Sequence, residues 1–215
     1  MVTPEMVNII QKIVPQGRKT RPAYSNPCKY ITIHNTGNSS AGANAKSHAN
    51  YLFNLDSATS WHYTVDDKEI YQHIPDKETA WHAGDGTNGT GNRQSIGIEI
   101  CMNSDGDLLK ATDNAAELTA YLMKKHSIPL ENVKEHNFWS GKNCPSELRA
   151  GRPYSWQVFL RKVESFMSEN KIETAEQALE RLNSAGIVTD KTYWAGALAY
   201  VKNLDYLLIK MANSI

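Results

Sequence analysis

The chain has 215 residues, room for one full-sized domain and a small appendage; 40% are hydrophobic and 21% charged, the balance of an ordinary globular protein. Its 23 basic and 23 acidic side chains cancel, which argues against a surface built for nucleic acid or anionic lipid. No stretch approaches the roughly 20 apolar residues of a membrane helix, so no membrane insertion is expected.

The N-terminal MVTPEMVNIIQKIVPQGRK carries Pro4 and Glu5 where an export signal carries positive charge, so synthesis in the cytoplasm without a signal peptide is expected. Pro4 to Val14 reads as a helix, with Thr3 as N-cap and Met6, Ile9, Ile10 and Ile13 on one apolar face. Lys29 to His34 alternates and predicts a strand, and Ala43 to Phe53 a helix. Trp61 to Val65 and Glu69 to His73 predict two strands joined by the turn Asp66-Asp67-Lys68. HAGDGTNGTGNRQ, dense in Gly, Asn and Thr, predicts a loop. Ser95 to Cys101 is an apolar run that predicts a central strand. Asp107 to Lys125 is a long helix, Asn132 to Glu135 a short strand leading into His136, and Trp156 to Met167 a closing helix.

The alternation implies an α/β domain, one sheet flanked by helices, over residues 1–168. The polar SENK marks a boundary, and residues 171–215 form a small helical unit. In that unit one helix spans Thr174 to Ala185 and ends at Gly186, a natural C-cap. A second runs from Asp190 to about Met211, with Tyr193, Ala197, Tyr200, Leu204, Leu207 and Met211 in a heptad-like stripe.

Three cysteines, Cys28, Cys101 and Cys144, argue against a disulfide framework. Cys101 reads as a buried small hydrophobe. Cys144 sits in HNFWSGKNCP, eight residues after His136, and His34 ends the first apolar strand ahead of Asn-Thr-Gly. Two His and one Cys are suitable zinc ligands, and three protein ligands leave a fourth position open, the arrangement of a catalytic site. Their spacing matches neither a C-x-x-C ribbon nor an H-E-x-x-H helix. On spacing alone, a structural cysteine beside a surface histidine stands as an open alternative. Glu99 is a carboxylate in an apolar strand, where an unpaired charge is expensive; a salt bridge to Arg93 is the alternative to a functional role. Lys142, flanked by Gly and Asn, suits an oxyanion or is a solvated loop cation. His62 and His73 read as structural, and His48 and His126 as solvent-facing.

ITIHNTG, SWHYTVDDKEIYQHIP, AWHAGDG, NRQSIGIEI and HNFWSGKNCP, in this order and at these separations, closely resemble the zinc N-acetylmuramoyl-L-alanine amidases of the type-2 amidase family. That family includes phage endolysins and the peptidoglycan recognition proteins; the likeness spans about Ile9 to Met167 and looks closest to endolysins of phages of Gram-positive hosts. The resemblance implies a single mixed β-sheet flanked by helices and a cofactor, zinc (Zn2+), held by His34, His136 and Cys144. It implies Glu99 as general base, Lys142 stabilising the oxyanion, and a substrate groove touched by Asn35, Trp61, His82 and Arg93. Trp61 stands where the phage-lysozyme branch has a catalytic tyrosine, which leaves the proton transfer to Glu99. The implied partner is bacterial peptidoglycan, reached after release by a holin or by lysis. A recognition domain that binds muropeptides without cutting them is the competing reading, and Cys144 speaks against it. The helical unit is expected to bind cell wall or to form a homodimer through its stripe.

Overall fold

The structure, a computed structural model, describes residues 8–167, 174–201, 204–213 and 215, and its first element falls where the sequence predicts a helix. Ile9–Gln11 (β1) is a strand paired parallel with Ile70–Gln72, and the main-chain N–H groups of Lys12 and Val14 extend the ladder onto the Gln72 and His73 carbonyls. Ile10 packs against the cluster of Ala45, Ala49, Tyr71 and Cys101. β-branched isoleucines suit a pleated edge at least as well as a helix, and here sheet pairing overrides the helical period. Thr3 and Pro4, the expected cap and first turn, lie outside the described residues.

Tyr30–Asn35 (β2) and Ala45–Asn54 (α1) follow, the helix capped by the Asn44 side chain accepting from the Ser47 amide. Tyr63–Val65 (β3) and Ile70–Gln72 (β4) form the expected antiparallel hairpin. Its turn is tied by Asp66, whose carboxylate accepts from the amides of Lys68, Glu69 and Ala45. The predicted Gly-rich loop is only partly a loop, because Thr90–Gln94 forms a short helix (α2). Asp85 accepts from the Gly91 and Asn92 amides at its start, a local cap that composition does not reveal.

Ser95–Ile100 (β5) is central, as its apolar run predicts. Leu108–His126 (α3) is capped by Asp107 and buries Ala111, Ala115, Leu118 and Leu122 while packing on β3 and β5. Val133–Glu135 (β6), His136–Ser140 (α4), Ser146–Arg149 (α5) and Trp156–Met167 (α6) complete the run. The sheet is single and mixed, in the order β1-β4-β3-β5-β2-β6, with only β3 and β4 antiparallel.

Alternation sorts the two faces of the sheet. Ile31, Ile33, Ile96, Ile98 and Ile100 are wholly buried on one face. On the other, Thr64, Glu99 and His34 stand in one row across β3, β5 and β2.

The chain divides into two compact units, Met1–Glu164 and Ser165–Ile215. The expected SENK boundary lies outside the described residues. In the second unit Ala175–Ser184 (α7) carries a full capping box between Thr174 and Gln177, and Gly186 has the positive φ of a C-cap. The predicted second helix is instead two, Lys191–Ala197 (α8) and Leu204–Ala212 (α9). The heptad stripe is therefore broken. Leu204, Leu208 and Ala212, spaced four apart, enter a core with Ala178, Leu179, Leu182 and Val188, whereas Tyr193, Tyr200, Leu207 and Met211 are exposed. No described helix is long and apolar enough to cross a membrane.

Candidate metal centre

His34, His136 and Cys144 arrive from three places: the end of β2, the first turn of α4, and the loop before α5. All three are buried, and one donor atom from each lies within 4.8 Å of the others. His34 Nδ1 is 3.0 Å from His136 Nδ1 and 3.8 Å from Cys144 Sγ. The loop is held to α4 by the Asn137 amide donating to the Cys144 carbonyl and the Asn137 side chain donating to the Lys142 carbonyl.

Glu99, opposite His34 in the sheet register, brings Oε1 to 3.9 Å from His34 Nδ1. Its Oε2 is buried without a hydrogen-bond partner among the described residues. Burial pushes the Glu99 carboxyl up to about 8, opposed by the charge of Lys142. Burial and the neighbouring His82 and His136 hold His34 well below the usual imidazole range, and burial with Lys142 lowers His136, so both rings are neutral at pH 7. Burial pushes the Cys144 thiol up to about 11, an effect that the Asn35 main-chain N–H opposes.

The residues fit a metal ion. Two neutral imidazoles present ring nitrogens to each other at 3.0 Å beside a buried sulfur and an orphaned carboxylate oxygen. A cation would be held by His34, His136 and Cys144, and the donor types are those of zinc.

Other expected site residues fall in different places. Trp61 lines a groove of about 410 Å³ together with Glu99, Thr36, Asn38 and Tyr51, and its indole donates to Thr64 Oγ1 at 2.7 Å. His82, expected in the groove, instead lies buried behind His34, its Nδ1 3.0 Å from His34 Nε2. The ring sits on Gly97, where an added Cβ would approach it to 2.8 Å. Asn35 faces the scaffold: its Oδ1 accepts from the Glu147 amide and its Nδ2 donates to the Ile100 carbonyl. Arg93 stacks its guanidinium over the Tyr24 ring at 4.4 Å, and Glu99 faces the neutral His34 ring instead. Tyr63 turns away to Asp76. His126, expected in solvent, is buried and pairs with the same Asp76 at 2.8 Å.

Fold and donor set define a mixed-sheet α/β protein with a three-donor candidate metal pocket at the C-terminal ends of its parallel strands. A family model described as N-acetylmuramoyl-L-alanine amidase (Amidase_2) matches residues 24–147, and the chain belongs to that family. It is 59% identical over 143 residues to the N-acetylmuramoyl-L-alanine amidase XlyA of Bacillus subtilis, covering 66% of this chain and 48% of XlyA. It is 52% identical over 160 residues to the amidase CwlH of the same organism, covering 74% of this chain and 62% of CwlH. The chain therefore spans less than two thirds of either relative. The solved catalytic domain of XlyA superposes with a TM-score of 0.69 at 55% identity, covering 73% of this chain and 99% of that one.

Proposed function

We propose that the Met1–Glu164 unit is a zinc-dependent peptidoglycan amidase that hydrolyses the bond between the lactyl carbonyl of N-acetylmuramic acid and L-alanine. The observation that carries the reading is the meeting of His34, His136 and Cys144 beside an unpartnered Glu99, in a chain of this family.

Amide hydrolysis needs an activated water, a polarised carbonyl and a proton for the leaving amine. His34, His136 and Cys144 would hold a zinc ion, which when bound would supply a Lewis acid for the carbonyl and lower the pKa of a water. Glu99 is raised to about 8 by burial, and the charge of Lys142 and of a bound cation would return it to the carboxylate; it then takes the proton of the attacking water at Oε2 and passes it to the departing L-alanine nitrogen. Lys142 is near enough for its charge to act on His34, His136, Glu99 and Cys144, and it offsets negative charge growing on the carbonyl oxygen. Trp61 forms an apolar wall beside Glu99 and holds the substrate against it. A thiol mechanism using Cys144 and His136 is disfavoured, because His34 stands as a third donor with its Nδ1 3.8 Å from Cys144 Sγ, which suits a metal set better than a Cys–His pair.

Mass analysis of muropeptides released from purified walls tests the reading. A free L-alanine amino end with intact glycan strands supports it. Binding to walls without any release would make the protein a recognition domain.

For the second unit we propose cell-wall binding or self-association, supported by the exposed Tyr193, Tyr200, Tyr206, Leu207 and Met211. Deleting residues 171–215 and measuring wall binding and molecular mass decides between them; if neither changes, both roles fail. As an endolysin the protein would reach the wall after release by a holin or by lysis.

A further inference from the structure

The neutral imidazole has two tautomers, and only one of them offers a given nitrogen to a metal. The partners of both ligand histidines lie on one short segment. Hydrogen bonds that can run in only one direction determine which tautomer each ring adopts.

The run of hydrogen bonds begins at Trp139 and Thr32. The Trp139 indole N–H donates to Thr32 Oγ1 at 2.9 Å. Ser95 Oγ lies 2.6 Å from the Gly91 carbonyl, which can only accept, so the Ser95 proton is committed there. Ser95 Oγ must then accept from Thr32 Oγ1 at 2.8 Å, and at 3.4 Å it can only accept from His82 Nε2. His82 thus carries its proton on Nε2 and presents a bare Nδ1. His34 Nε2, 3.0 Å from that Nδ1, must be the donor, which leaves His34 Nδ1 bare and aimed at His136 and Cys144.

The second ligand is handled one residue further on. The His136 ring lies close enough to the Ala83 main chain for a hydrogen bond that favours a proton on the ring. Its Nδ1 faces His34, so the donating nitrogen is Nε2, which lies beside Gly84. Asn92 anchors the segment, its Oδ1 accepting from the amides of both His82 and Ala83 at 2.8 Å and its Nδ2 donating to the Gly86 carbonyl.

We propose that His82-Ala83, clamped by Asn92, is one positioning element that fixes the tautomers of both histidine ligands and so presents both Nδ1 atoms to the metal together. This rests on the zinc reading above and goes beyond it. His82 is a positioning residue, acting through His34. A partner on the far nitrogen of a ligating imidazole commonly changes metal affinity 10–100-fold.

The test is long-range proton–nitrogen correlation of the histidine rings in the 15N-labelled full chain, first metal-free and then with one equivalent of zinc. The expected result is protonated Nε2 at His34, His82 and His136 in both states, with zinc shifting Nδ1 of His34 and His136. A metal-free His34 protonated on Nδ1, or zinc bound through Nε2, overturns the proposal. Two variants add an affinity readout. His82→Phe keeps ring bulk and loses the acceptor, and should weaken zinc 10–100-fold. His82→Gln, which restores an acceptor for His34 and a donor for Ser95, should recover most of that loss. Parent-like zinc affinity in a folded His82→Phe protein overturns the proposal. If that variant does not fold, the parent spectra still decide. A parent that binds no zinc sinks the metal reading, while its metal-free spectrum still tests the tautomers.

Discussion

Two buried polar clusters lie in the same domain and are built in opposite ways. Around Asp76 every demand is met: its carboxylate accepts from Tyr63 at 2.5 Å, Gln72 at 3.0 Å, and Lys125 and His126 at 2.8 Å each. Around His34 the balance is incomplete, with two neutral rings facing each other at 3.0 Å, a protonated thiol and a carboxylate oxygen without a partner. A satisfied buried charge ties structure together. An unsatisfied cluster persists only where a ligand or a reaction completes it. On this reading the Asp76 cluster holds the hairpin to the end of α3, and the His34 cluster is kept for chemistry.

The contrast can be broken in several ways. The largest effect is expected from Cys144→Ser, which should abolish both zinc binding and wall lysis while leaving the metal-free melting temperature near the parent value; calorimetric titration with zinc and melting curves check this. Glu99→Gln should retain zinc but lower kcat about 10²–10⁴-fold, as loss of a general base does; a variant with full activity assigns the proton transfer elsewhere. Asp76→Asn should do the reverse. It leaves Lys125 without its counter-charge and weakens the acceptor of His126, and should destabilise the fold by about 3 kcal/mol, the low end for a buried pair because Lys125 is half exposed. The loss should be equal in metal-free and zinc-loaded protein if the two clusters are independent, and chemical denaturation of both forms measures it.

The Asp76 cluster also has a pH signature. Burial alone would raise its carboxyl, but hydrogen bonds from Lys125, Tyr63 and His126 outweigh it and hold the group below the usual range. The stability it contributes is therefore complete above the unfolded value of about 3.9 and is lost as pH falls through the lower folded value. Acid melting of metal-free protein should show this loss, and Asp76→Asn should lack it. The smallest effect belongs to the exposed pair Lys19–Asp56, where Lys19→Ala should leave the melting temperature unchanged within error.

The sequence was most legible where a feature is local. The alternation of β2, the Asp66 turn and the apolar run of β5 each predict an element close to the one found. β1 was not legible, because three residues at a sheet edge take their state from pairing with β4 some sixty residues away. The break between α8 and α9 was hidden for a similar reason: Leu204 and Leu208 pack inward on α7 at a spacing of four, which a stripe of alternating threes and fours masks.

The same division runs through the site. That His34, His136, Cys144 and Glu99 come together was readable because the family motifs hold these positions in order. The placement of His82, Asn35 and Arg93 was not, since each depends on which neighbour folding brings to it: His34, the Glu147 amide and the Tyr24 ring respectively. Asn92 went unread as well. An asparagine among glycines signals a loop, and nothing local shows that its side chain reaches back to two amides of AWHAGDG. Gly97 within SIGIEI is a trace of this packing, a residue without a side chain where His82 lies on the strand.

The central claim is that His34, His136 and Cys144 hold a zinc on which hydrolysis depends. The direct measurement is lysis of purified cell walls by protein stripped with a chelator, before and after one equivalent of zinc is returned. No lysis without metal, and recovery with zinc, is the predicted result; full lysis by a preparation shown to be metal-free would contradict it.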